Sequence, residues 1–198
     1  VKGTPLMLLD AKELTARRTA ASSALASSFL SRVNSETLLM IGTGTLAPYL
    51  IAAHATVRRY KKILIWGRNR DKAQAICDTL NPKMDVQITR VEDLEKGIKQ
   101  ADVVSCATLS ETPLILGAWL KPGQHIDLVG AYKPDMREAD DALMLKSKIY
   151  VDTPMALKET GDLLIPMTKG VLDSNDIRGD LFQLCQKTRK GREKKEEI

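Results

Sequence analysis

Leu38-Leu39-Met40-Ile41-Gly42-Thr43-Gly44-Thr45-Leu46-Ala47-Pro48-Tyr49 is the stretch that decides how the rest of the chain is read. An apolar run stops abruptly at Gly42-x-Gly44-x-x-Ala47, and a helical pattern begins behind it. That is the layout of a dinucleotide-binding turn. The first glycine permits the tight turn, the second lets the backbone approach a pyrophosphate, and the small third residue lets the helix close on the strand. The pyrophosphate then rests at the helix N-terminus, where unpaired N–H groups and the helix dipole favour negative charge. Alone, such a pattern most often marks only a turn. Here it has context, because Lys62-Ile63-Leu64-Ile65-Trp66 supplies a second apolar strand about twenty residues on.

Working outward, apolar runs alternate with helical patterns. Strands are expected at 37–41, 62–66, 86–89, 102–107, 126–130 and 148–151, and helices at 14–33, 46–59, 70–80, 91–99 and 138–145. A short strand is also expected at 4–9, followed by Asp10-x-x-Glu13, which matches a capping box. In the first helix the residues near helical spacing are Leu14, Ala21, Ala24, Leu25 and Phe29. Asn81-Pro82 stops the third helix, and Lys121-Pro122-Gly123 launches the fifth main strand. Leu163-Leu164-Ile165-Pro166 is apolar and is expected to end against the domain rather than join the sheet. The alternation argues for an α/β fold of Rossmann type, a doubly wound and mostly parallel sheet with helices on both faces.

The 198 residues suffice for one domain with a sizeable core. At 43% hydrophobic and 28% charged residues the balance is globular, and with 4% aromatics the core must be aliphatic. The tail 187–198 holds six bases and three acids, which is +3 of the net +5. Glutamates interrupt it and no aromatics are interleaved, so it reads as a solvated end rather than a nucleic-acid arm. Cys77, Cys106 and Cys185 are widely spaced and odd in number, and with only His54 and His125 no metal site is expected. No apolar run reaches membrane-spanning length and no signal peptide is visible, so neither nucleic acid nor membrane is an expected partner and the cytoplasm is the expected location.

Ligands in such sheets bind beyond the carboxyl ends of the strands. The expected cofactor contacts are Gly42, Thr43, Gly44, Thr45 and Leu46 on the turn, Gly67, Arg68, Asn69 and Arg70 after the second strand, Ala107 and Thr108 after the fourth, and Val129 and Gly130 after the fifth. An Asp or Glu usually ends the second strand where the ribose 2′-OH of NAD is read. Trp66-Gly67-Arg68-Asn69-Arg70 has no acid before Asp71. A guanidinium forms charge-assisted bonds to a 2′-phosphate that a carboxylate would repel, so the expected cofactor is NADP(H). Arg68 is the expected main ligand, with Asn69 on the same group and Arg70 or Lys72 in support. The competing reading makes these residues surface charges at a helix start. No Ser–His–Asp order, H-E-x-x-H or C-x-x-C motif is present.

Taken together, several blocks resemble the ornithine cyclodeaminase/mu-crystallin family. They are Arg18-Thr19-Ala20-Ala21 with Ser23-Ala24-Leu25-Ala26, Ile41-Gly42-Thr43-Gly44, Trp66-Gly67-Arg68 and Val104-Ser105-Cys106-Ala107-Thr108. Val129-Gly130-Ala131 with Pro134, Met136, Arg137 and Glu138, then Val151-Asp152, and Glu159-x-Gly161-Asp162-Leu163-Leu164-Ile165-Pro166 continue the series in order. The resemblance implies a dimer of two-domain subunits and a chain corresponding to one part of the family's length. Residues 1–36 are then a leading strand and helix toward a dimerisation and substrate domain, 37–186 the nucleotide-binding domain, and 187–198 a basic tail toward a C-terminal return.

The resemblance also gives Arg18 the substrate carboxylate and Thr19 the cofactor phosphate. Tyr132 falls where the cyclodeaminases carry an Asp for deamination. Tyr cannot replace a carboxylate as general base near neutrality, since its unperturbed pKa is about 10. The departure favours members that reduce cyclic ketimines such as Δ1-pyrroline-2-carboxylate or Δ1-piperideine-2-carboxylate, with Tyr132 expected to wall the pocket. The alternatives are a cyclodeaminase or amino-acid dehydrogenase of the same family, and a non-enzymatic NADPH-binding protein of the crystallin type.

Overall fold

The computed structural model describes residues 4–198; the first three residues of the leading segment 1–36 lie outside it. Strands β1 (Thr37–Ile41), β2 (Lys62–Trp66), β3 (Gln87–Arg90), β4 (Val103–Cys106) and β5 (His125–Leu128) form one parallel sheet in the order β3-β2-β1-β4-β5. The order reverses at β1, so the chain leaves β1 and β4 toward opposite faces of the sheet, and the crevice between those connections is where ligands of such sheets bind. Alternate residues of β1 feed two separate cores. Leu38 and Met40 join Leu50, Ile51, Ile63 and Ile65 on one face, while Leu39 and Ile41 join Leu64, Ile98, Val104 and Ile115 on the other. A strand buried on both faces must be apolar throughout, which is why β1 and β2 read so clearly.

Helices α1 (Ala11–Leu30), α2 (Leu46–Val57), α3 (Arg70–Leu80), α4 (Leu94–Gln100) and α5 (Asp141–Lys146) follow or flank these strands. The buried face of α1 differs from the expected one. It consists of Ala16, Ala20, Ser23, Ala24 and Ser27, whereas Leu14 and Leu25 are exposed. α1 lies against α2, and only small side chains fit between two closely approaching helices. Its Asp10 cap accepts from the Lys12 N–H at 2.8 Å. Glu13 does not return the bond as a full capping box would; its carboxylate takes Arg17 Nε at 2.6 Å and the Tyr49 hydroxyl at 2.7 Å. The C-terminal end of α1 is held by Arg58, whose guanidinium donates to the carbonyls of Ser27, Ser28, Ser31 and Arg32 at 2.9 to 3.2 Å.

Other expectations are corrected. Residues 4–9 form no strand; Leu6 and Leu8 are almost fully exposed, and no described strand lies alongside to pair with them. β6 (Ile149–Val151) does not extend the five-stranded sheet but pairs in parallel with β7 (Ile177–Asp180), which the sequence pattern did not reveal. Between them lie α6 (Ala156–Glu159) and α7 (Gly161–Thr168), so the apolar run at 163–166 is helical, with Pro166 inside it. After α8 (Leu181–Cys185) the basic tail is not solvated throughout. Arg192 is partly buried and donates to the carbonyls of Leu30 at 2.6 Å and Gln124 at 2.8 Å. No helix of the described residues is long and apolar enough to cross a membrane.

Candidate functional site

The turn between β1 and α2 lies against the carboxyl end of β4. Gly42 has φ +112°, and a Cβ built there would overlap the carbonyl oxygen of Ala107, so only glycine serves. Gly44 faces the other way, and a Cβ there would meet nothing within 4 Å. Thr45 makes no side-chain capping bond, and the first turn of α2 carries no acid. The first N–H groups of a helix have few intrahelical partners, and with open space at Gly44 this helix start suits a pyrophosphate. Ala47 is buried where the helix meets the sheet. The residues of the turn fit a dinucleotide.

Next to this turn, the loops after β4 and β5 are joined by Glu138. Its Oε1 accepts from Thr108 N at 2.6 Å, Thr108 Oγ1 at 2.7 Å and Cys106 Sγ at 3.0 Å, and its Oε2 from Gly130 N at 2.7 Å. Asp162 on α7 fixes the backbone of the same residue, accepting from the N–H groups of Glu138 and Ala139 at 3.0 Å each. Burial raises the carboxyls of both acids, against hydrogen bonds that pull them down. Glu138 thus sets the spacing of Thr108 and Gly130, two of the expected cofactor contacts. The sequence marked Glu138 only as part of a resemblance.

At the far side of the sheet Arg68 is exposed after β2. Two of its expected helpers have other occupations. Asn69 caps α3, accepting from Lys72 N at 2.9 Å, and Arg70 Nε lies 2.9 Å from Glu92 Oε2. Asn69 and Arg70, expected to contact or support the phosphate, thus also cap a helix and pair with a carboxylate, since a helix start needs a cap.

Arg18 and Thr19 on α1 line a cleft of about 360 Å³ together with Leu128 and Val129 at the end of β5, Asp152 after β6, and Asp162. The structure so gathers Arg18, Thr19 and Val129. The Gly-turn, residues 67–70, Ala107, Thr108, Gly130 and Tyr132 do not line this cleft. Tyr132 walls no part of it; the residue is 60% exposed, with the Lys133 ammonium 5.6 Å from its ring centroid. A loop side chain that follows a tight Gly130–Tyr132 turn points outward, and spacing along the sequence does not reveal that.

Under the cleft, Ser105, His54 and Asp127 meet although they are not in a recognisable order along the chain. Ser105 Oγ donates to Asp127 Oδ2 at 2.7 Å, and His54 Nε2 lies 3.1 Å from the same oxygen. The hydroxyl bonds the carboxylate and not the imidazole, and both Ser105 and His54 are fully buried, so no nucleophile is presented. The set ties α2 to β4 and β5. Burial pushes the Asp127 carboxyl up, but the bond from His54, the nearby imidazoles and the Ser105 bond together bring it below its usual value.

His125 beside it is pushed by burial from 6.5 down to about 3. The unfolded chain therefore binds a proton that the folded one refuses between those values. The stability tied to His125 is complete above pH 6.5 and is lost as pH falls toward 3. The urea midpoint is expected to fall across this window, and His125→Asn to flatten the profile; an unchanged slope in the variant would assign the loss to other groups.

Among the described residues no group of three or more His, Cys, Asp or Glu could hold a metal ion. The family model described as "Ornithine cyclodeaminase/mu-crystallin family" matches residues 1–198. The chain is 38% identical over 193 residues to a Delta(1)-pyrroline-2-carboxylate reductase of Paracoccus denitrificans, covering 96% of this chain and 61% of that protein. It is 37% identical over 164 residues to the ketimine reductase mu-crystallin of Macropus fuliginosus, covering 82% of this chain and 51% of that protein. Its fold matches the Thermococcus litoralis Delta(1)-pyrroline-2-carboxylate reductase in complex with NADH and L-proline at a TM-score of 0.96 and 34% identity, over 100% of this chain and 61% of the other. The chain thus spans 51 to 61% of the length of these relatives.

Proposed function

The chain belongs to the ornithine cyclodeaminase/mu-crystallin family, and from that premise we propose that its protein reduces a cyclic ketimine with NADPH. The substrate is Δ1-pyrroline-2-carboxylate or Δ1-piperideine-2-carboxylate, and the product is the cyclic amino acid. The observation that carries the reading is the meeting of Arg18 and Thr19 with the carboxyl end of β5 in one cleft. The relatives named as reductases of such imines support it, and so does the relative described with NADH and L-proline.

The residues divide the work. Gly42 and Gly44 with the start of α2 hold the pyrophosphate. Arg68 binds the 2′-phosphate, with Asn69 and Arg70 beside it. Glu138 keeps Thr108 and Gly130 at the spacing the nicotinamide half requires. Arg18 takes the substrate carboxylate, for which its planar fork is suited, and so fixes which way the C=N carbon faces. Held by these residues, NADPH would supply a hydride to that carbon and become NADP+, and the imine, protonated from solvent beforehand, would end as the neutral amine. Holding the carboxylate beside the cofactor replaces a chance encounter with a fixed geometry. The full-length protein is a homodimer in this reading and works in the cytoplasm.

The test is NADPH oxidation by the full-length protein on addition of Δ1-pyrroline-2-carboxylate or its six-membered analogue. Turnover of either supports the proposal. Ammonia release from ornithine with catalytic NAD, and no imine reduction, would overturn it. The cofactor preference has its own measurement. Arg68→Ala is expected to weaken NADPH about tenfold or more, as loss of a charge-assisted contact does, with NADH nearly unaffected. Equal weakening of the two would show that Arg68 does not read the 2′-phosphate.

A further inference from the structure

The ends of β2 and β3 carry an arrangement that the sequence pattern did not disclose. The strands run parallel with Ile65 beside Arg90, so the end of β3 lies next to the loop that bears Arg68 and Arg70. Glu92 stands just beyond β3 and is gripped from both strand ends. Arg70 Nε is 2.9 Å from its Oε2, and Arg90 Nη2 is 2.6 Å from its Oε1. The side chain of Arg90 is only 28% exposed, against 72% for Arg70. The carboxylate thus keeps two like charges close together and holds the inner one in a fixed place.

Charge gives this cluster its meaning. The Arg70–Glu92–Arg90 trio carries a formal +1, and Arg68 lies on the adjoining loop. A phosphate monoester carries about −1.5 to −2 near neutral pH. One glutamate holds Arg70 and Arg90 together and leaves a net charge opposite in sign to a phosphate. An ordinary surface pair has no need of a third and a fourth member, and exposed pairs of that kind add little stability. Only Nη2 of the Arg90 guanidinium is engaged by Glu92, which leaves further N–H donors for a ligand. Guanidinium forks are suited to phosphate oxygens.

We propose that Arg90 is a specificity-determining residue of the cofactor site, binding the 2′-phosphate of NADP(H) from the β3 side while Arg68 binds it from the β2 side. The proposal rests on the NADP(H) reading above. It accounts for a cation at the end of β3 that is largely shielded from solvent and whose backbone lies beside the end of β2.

The experiment titrates the protein with NADPH, NADH and adenosine 2′,5′-bisphosphate, comparing wild type with Arg90→Ala, Arg90→Met and Arg68→Ala. Arg90→Met keeps the apolar stem, so the comparison survives if the alanine variant is poorly folded. For both Arg90 variants NADPH and the bisphosphate are expected to weaken about tenfold or more, and NADH less than twofold. NADPH affinity within threefold of wild type, or NADH weakened as much as NADPH, overturns the proposal. A selective Arg68 effect beside silent Arg90 variants sinks this inference and leaves NADP(H) standing. A wild-type protein with no preference for NADPH over NADH removes the reading beneath it, and the inference goes with it.

Discussion

Glu138→Leu is expected to lower folding stability by about 3–5 kcal/mol, because it strands buried donors that have no other partner. Glu138 has no exposed surface, and its carboxylate takes four donors from two loops. The Thr108 hydroxyl and the Cys106 thiol can turn elsewhere. The N–H groups of Thr108 and Gly130 cannot, since each is fixed at the end of a strand. Glu138→Gln keeps one acceptor oxygen and faces an NH₂ against a backbone donor on the other side, so it should lose less. The two variants also differ from wild type in their response to pH. Burial raises the Glu138 carboxyl above its usual 4.5, so between that value and the raised one the folded protein retains a proton that the unfolded chain releases. Its contribution is therefore best at low pH and declines as pH rises through the raised value. Urea midpoints across that range should show a steeper decline for wild type than for Glu138→Gln. A Glu138→Leu variant as stable as wild type would mean that the two loops hold their positions without the carboxylate.

Arg18→Ala is expected to raise KM for the imine about 10–100-fold, the worth of a charged hydrogen bond of 1.5–3 kcal/mol. The Kd for NADPH should change less than twofold, and so should the urea midpoint, because Arg18 is exposed and away from the core. Arg18→Lys should recover only part of the loss, since a single ammonium cannot offer two parallel bonds to a carboxylate. Steady-state kinetics with varied imine at saturating NADPH separate these outcomes. A KM unchanged in Arg18→Ala would show that the substrate carboxylate is held elsewhere.

Much of the sheet was legible because burial on both faces forces unbroken apolar runs. β1 and β2 match their expected limits, and Gly42 stands where a positive φ is required. The same logic fails where burial is shallow. Residues 4–9 are apolar enough for a strand yet have no neighbour, and apolarity alone does not supply one. β7 is half polar, Ile177-Arg178-Gly179-Asp180, and carries no alternation to mark it. On α1 the large apolar residues drew attention to the wrong face, because close helix contact selects alanine and serine by size. At the candidate site, Gly42 and Arg68 could be singled out by residue type and local context, and Arg18 only through the family resemblance. The contacts of Glu138, Asp162 and Arg90 could not be read, because they depend on which loops and strand ends the topology brings side by side.

Arg58 has a consequence for how the molecule opens. Its guanidinium draws on the last turn of α1 and on the end of α2 at once, donating also to Val57 O at 2.7 Å. Releasing α1 from α2 would break all the bonds that this partly buried cation makes to the carbonyls of Ser27, Ser28, Ser31 and Arg32. Fraying of α1 by itself is thereby made costly, although it is the outermost helix along the chain. Its backbone amides near Ser27 and Ser31 should exchange with deuterium as slowly as those of α2, and the two helices should lose protection in one cooperative event.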